Sequence, residues 1–96
     1  MNVTDVQISL IENNGNLKAS AVIIIDNAFA VHDIKVINGI NGLFMAMPDR
    51  KCSDGEYRDV AHPINTETRK MLQDVILSKY EEVIAKKVNK WQLKKL

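Results

Sequence analysis

Turn-forming pairs punctuate the first 60 residues of this chain so closely that the apolar runs between them can only be strands. Asn13-Asn14-Gly15-Asn16, Asp26-Asn27, Asn38-Gly39, Asn41-Gly42 and Asp54-Gly55 are all combinations that tolerate left-handed backbone. Between them, Val6, Ile8 and Leu10 alternate with Asp5, Gln7 and Ser9, the period-2 pattern of a strand with one wet face. Leu17 to Ile25 follows, and its Val22-Ile23-Ile24-Ile25 run reads as a strand covered on both faces. The third strand places Phe29, Val31, Asp33, Lys35 and Ile37 on one face. Ala28, Ala30, His32, Ile34 and Val36 take the other, more apolar face. Leu43 to Met47 is a fourth strand closed by Pro48, which cannot donate to a ladder. A fifth runs from Tyr57 to Ala61.

The period changes after Pro63-Ile64. Leu72, Val75, Ile76, Tyr80, Val83 and Ile84 recur at helical spacing, with Lys70, Asp74, Ser78 and Glu81 opposite. Asn65 or Thr66 caps the start and Glu67 sits in the first turn, where a carboxylate suits the helix dipole. No breaker follows, so the helix can pass Lys90 and bring Trp91 near the end of the chain. The expected fold is α+β: a five-stranded antiparallel meander with one C-terminal helix packed on it. Residues 1–84 form the domain and 85–96 a basic helical extension or disordered tail. One helix leaves part of a face and a sheet edge open, which favours a homodimer.

Length allows one core in 96 residues. A single cysteine, Cys52, excludes an intrachain disulfide and a cysteine-rich zinc site. It is consistent with a reducing cytoplasm. No signal peptide is expected, and no apolar run approaches the ~20 residues of a membrane helix. Net charge is only +1, but it is unevenly spread. Residues 1–48 carry two lysines against four acids, a net −2, whereas residues 49–96 carry eleven bases against eight acids, a net +3. Such asymmetry steers a polyanion to one face, although solvated lysines near a C-terminus are also common.

Catalytic chemistry finds no purchase. His32 and His62 have Asp33 and Asp59 near them in sequence, but no activated nucleophile accompanies them. Neighbours on a strand point to opposite faces, which denies His32 and Asp33 a dyad. Two histidines on different elements make a poor metal site. Gly39 and Gly42 do not have phosphate-loop spacing. The expectation is therefore no enzyme, cofactor, metal or small-molecule substrate. What remains is a basic constellation: Arg50 and Lys51 in the turn after Pro48, Arg58 on the returning strand, and Arg69 and Lys70 at the helix start. Arginine can bridge phosphate oxygens bidentately, and a helix N-terminus adds N–H donors. Equally, Arg58 can pair with Asp59 or Glu56, and Arg69 with an acid across the sheet.

Those same segments carry a resemblance. Val31-His32-Asp33-Ile34-Lys35-Val36-Ile37, then Gly42-Leu43-Phe44-Met45-Ala46-Met47-Pro48, a basic turn ending in Asp54-Gly55-Glu56-Tyr57-Arg58-Asp59, and Val60-Ala61-His62-Pro63-Ile64-Asn65 together resemble the SpoVG family. The likeness spans about residues 1 to 84. Cys52-Ser53 stands where the family usually has Thr-Pro, which should loosen the loop, and the first hairpin, Gln7 to Ile25, diverges. The resemblance implies a small dimeric bacterial regulator that binds DNA and RNA, associated with septation, sporulation and gene expression. It favours the phosphate-binding reading of Arg50, Lys51, Arg58, Arg69 and Lys70. The alternative is a protein-interaction module that acts on division machinery through its sheet edge or dimer surface.

Overall fold

The structure is a computed structural model that describes residues 1–12 and 15–94, with side chains through Lys87. Six strands precede one helix: β1 (Val3–Leu10), β2 (Leu17–Ile25), β3 (Phe29–Gly39), β4 (Gly42–Ala46), β5 (Asp49–Lys51), β6 (Tyr57–Asp59) and α1 (Thr66–Lys94). The first four form an antiparallel meander in the order β1-β2-β3-β4. Asp26 and Asn27 take φ of 51° and 53° in the β2–β3 turn, closed by the Ala28 amide donating to the Ile25 carbonyl at 2.9 Å. Two consecutive left-handed residues give the turn whose twist matches that of the strands. Part of the Asn13-Asn14-Gly15-Asn16 turn lies outside the described residues.

The expected five-stranded meander is divided in two. Pro48 ends the β4 ladder, and β5 and β6 pair only with each other as a separate two-stranded ribbon. The outer edge of β4 is also occupied. The Met45 amide there donates to Oε1 of Gln73 on α1 at 3.2 Å, so that donor is unavailable to a fifth strand. The returning chain bonds back at its foot, where the Val60 amide donates to the buried Pro48 carbonyl at 2.7 Å.

A second correction concerns β3. Strict alternation puts Val31 opposite in face to Ile34 and Val36, but the register pairs Ile23 with Val31 and Ala21 with Ile34. Three steps along β3 match two along β2, so His32-Asp33 form a bulge and Asp33 takes φ of 62°. Phe29 and Val31 therefore lie on the same side as Ile34 and Val36. The double-sided cover expected for Val22 to Ile25 is also absent: Ile23 is buried, whereas Val22 and Ile24 on the outer face are half-exposed.

The core lies between the sheet and α1. Val6, Ala19, Ala21, Ile23, Ile34, Val36, Met45 and Met47 meet Leu72 and Ile76. Asn65 supplies the N-cap, its Oδ1 accepting from the Thr68 amide at 2.7 Å. The helix runs unbroken through Lys94, past Trp91. Lys87 on its far half pairs with Glu12 beyond β1. Ile76 has no exposed surface, and truncating it leaves a cavity where the helix meets the sheet. Ile76→Ala should cost about 2–5 kcal/mol of unfolding free energy, measured by urea denaturation. Replacing the Asn65 cap with Ala should cost about 1 kcal/mol.

Candidate nucleic-acid interface

The β5–β6 ribbon is exposed on both faces, as all six of its residues are. Its turn is built by local bonds. The Cys52 amide donates to the Glu56 carbonyl at 2.7 Å, and the Gly55 amide to the Cys52 carbonyl at 3.0 Å. Gly55 carries φ of 86°, a backbone state that glycine adopts without a Cβ clash. The Asp54 carboxylate accepts from the Glu56 amide at 3.0 Å and from Nη2 of Arg58 at 2.7 Å.

This segment is slightly acidic in sum, a net −1, because residues 49–59 hold three bases against four acids. The register separates those charges. Arg50 lies directly opposite Arg58, so the two guanidinium side chains share one face. The other face carries the Asp49–Asp59 pair at the foot and the Lys51–Tyr57 pair further out. Two like-charged cross-strand pairs on so short a ribbon oppose its formation. Each is relieved from one side only, Arg58 by Asp54 and Asp49 by Lys35 at 3.9 Å. Among the described residues, Arg50 and Lys51 have no acid partner. The alternative pairing expected for Arg58, with Asp59 or Glu56, gives way to Asp54 across the turn.

Arg69 and Lys70 are exposed on the first turns of α1. No ion pair among the described residues joins them to the ribbon, and Arg69 has no partner acid across the sheet. The structure thus brings Arg50, Lys51 and Arg58 together on one arm and leaves Arg69 and Lys70 on a separate element. His62 sits at the corner between them, its Nδ1 3.0 Å from the Pro63 carbonyl. His32 and Asp33 are both exposed in the bulge and make no hydrogen bond to each other. No helix among the described residues is long and apolar enough to cross a membrane.

The feature that sequence reasoning missed is the cleft beside the ribbon, about 440 Å³ between the β3 bulge and the ribbon foot. Its walls include Phe29, His32, Asp33, Asp49 and Val60. The one signal for it was His32-Asp33 interrupting an apolar alternation. A neighbouring cavity of about 250 Å³ shares Val31 and Ala61 with it and reaches the buried Ile23, Met47 and Leu72.

The bonds to Asp54 have a measurable consequence. The Glu56 amide, and next the Arg58 guanidinium, hold its carboxyl below the ordinary aspartate value. Because the folded value is depressed, the stabilisation is complete above the unfolded aspartate pKa and is lost as pH falls through the folded one. Carboxyl-detected NMR titration should find Asp54 titrating lower than a model aspartate. Arg58→Met should move it part of the way back, since the larger cause, the Glu56 amide, remains.

Comparison with known proteins agrees with the motif. The SpoVG family model matches residues 1–82. A Caldicellulosiruptor bescii protein is 56% identical over 85 residues, covering 88% of this chain and 97% of the relative. Proteins of Clostridium perfringens and Lachnospira eligens are each 58% identical, over 83 and 82 residues. The matches cover 86% and 85% of this chain, and 92% and 93% of those relatives. All three bear a septation-protein SpoVG name, and none is named as an enzyme. With its four-stranded meander, its projecting ribbon and its single long helix, this chain belongs to the SpoVG family.

Proposed function

We propose that this chain is a non-enzymatic bacterial regulator that binds DNA and RNA. In this reading it acts in the cytoplasm as a homodimer, in the control of septation, sporulation and gene expression. The phosphate contacts come from Arg50, Lys51 and Arg58 on the ribbon, with Arg69 and Lys70 contributing from the helix start. The observation that carries the reading is the cross-strand register of Arg50 and Arg58 on an exposed arm. Folding alone disfavours placing two arginines face to face, because like charges directly opposite repel. A phosphodiester between them removes that repulsion, and each guanidinium can offer it two parallel N–H donors. The ribbon stands clear of the main sheet and can approach a backbone without disturbing the core. The septation-protein names of the relatives support the regulatory setting. The uncovered edge of β1 supports a dimer, since it pairs with β2 alone and leaves a row of backbone groups for a second copy.

Binding by phosphate neutralisation releases counterions, so affinity should fall steeply with salt, with a log–log slope of about −0.9 per duplex phosphate neutralised. Fluorescence anisotropy on a random duplex should show that slope becoming shallower by about one for each of Arg50→Ala and Arg58→Ala. The circular dichroism spectrum should remain unchanged. Absence of binding to any DNA or RNA at low salt would overturn the reading. A salt slope untouched by both substitutions would remove the ribbon from it.

A further inference from the structure

We propose that the cleft between the β3 bulge and the ribbon foot is a pocket for one unpaired nucleobase carrying an exocyclic amino group. It thereby makes the protein a reader of single strands. The inference rests on the nucleic-acid reading above and adds a second kind of contact to it. Three independent features converge on this cleft. The first is its construction. At about 440 Å³ it is roomy for one base, with the half-buried Val31 and Ala61 and the exposed Val60 as its apolar lining and an aromatic wall from Phe29. The Phe29 ring is 66% exposed despite lying on the core side of the sheet, a poor use of a large apolar group unless something stacks on it.

The second feature is backbone strain. Asp33 is held at φ of 62° inside a strand, in the bulge that lines the cleft. Non-glycine residues in that region cost free energy and gather at ligand sites, and bulges serve to re-aim a side chain. Among the described residues the Asp33 carboxylate has no hydrogen-bond or ion-pair partner. A carboxylate offers only acceptors, which suits the amino groups of cytosine, adenine and guanine and gives thymine or uracil no comparable amino donor.

The third feature is charge placement. The face of the ribbon that turns Asp49 into the cleft also carries Lys51 and Tyr57 further out. Lys35 stands at the foot, 3.9 Å from Asp49. The Asp49–Asp59 pair at the foot keeps phosphates off the cleft itself, so a strand following that face sets a phosphate on Lys51 further out, one base on the exposed Tyr57 ring and another on the Phe29 wall. Splayed bases stacked on aromatic rings and bonded at their edges are the usual means of reading single strands. A duplex cannot present a base in this way without unpairing it.

The test is anisotropy with single strands about 12 nucleotides long, in DNA and RNA forms, containing only cytosine, only adenine, or only thymine or uracil. Wild-type protein should prefer the cytosine and adenine strands by about tenfold. Asp33→Gly keeps the left-handed backbone while removing the carboxylate, and should bring those strands to within about twofold of thymine. Phe29→Ala should weaken every single strand by about tenfold, and Phe29→Leu, which keeps apolar bulk without a ring, should do nearly the same. Neither Phe29 change should alter the salt slope on duplex DNA. Wild-type binding without base preference, or Phe29 and Asp33 variants that bind like wild type, would overturn the pocket even where Arg50→Ala and Arg58→Ala remain defective. A Phe29→Ala protein that changes from dimer to monomer in sedimentation would assign the cleft to a second copy and also overturn it. No wild-type binding to any strand would remove the phosphate reading and the pocket together.

Discussion

Everything in this fold depends on one helix lying across one face of the sheet and closing its core. Ala19, Ala21, Ile34 and Val36 on the two middle strands are fully buried beneath it, as is Ile76 on the helix itself. Val6 on β1, Met45 on β4 and Met47 just beyond it belong to the same core, together with Leu72 and Ile76 from the helix. The helix crosses that face from β4, where Gln73 is bonded, to the neighbourhood of β1, where Lys87 reaches Glu12. In so small a domain, close packing along one line supplies most of the apolar burial available.

That placement also decides where the sheet stops. With Gln73 on the Met45 amide and Pro48 lacking one, the chain leaving β4 cannot continue the meander. It folds back on itself as a ribbon whose six residues are all exposed. An arm of this kind contributes little to the core, and its charge arrangement opposes rather than aids its own folding. Such local conflict, compensated by the rest of the structure, is where function is expected to reside. The β3 bulge is a second conflict of the same sort, and it faces the foot of the arm across a cleft.

Much of the scaffold was legible in the residues. The turn at Asp26-Asn27, the Asn65 cap, the helical face from Leu72 to Ile84 and the exposed Arg50, Lys51 and Arg58 all follow from local backbone preference and periodicity, which act over a few residues. The strand count and the face of Phe29 and Val31 did not. A bulge shifts parity through one residue's φ, and Asp is among the few types that adopt that state without announcing it. Arg58 likewise had three acids within four residues, and only the turn geometry selects Asp54.

The sequence by itself determined that a β-rich first half would be followed by one amphipathic helix, that Leu72 and Ile76 would lie on its packed face, and that the chain carries the SpoVG motif. These are properties of local spacing. Only the tertiary structure decided that the charged hairpin would stand apart from the sheet, that Arg50 and Arg58 would share one of its faces, and that a cleft would open at its foot. Those outcomes depend on a helix side chain occupying a strand edge 28 residues away and on the register between neighbouring strands. Neither is encoded in the order of residues within the arm itself.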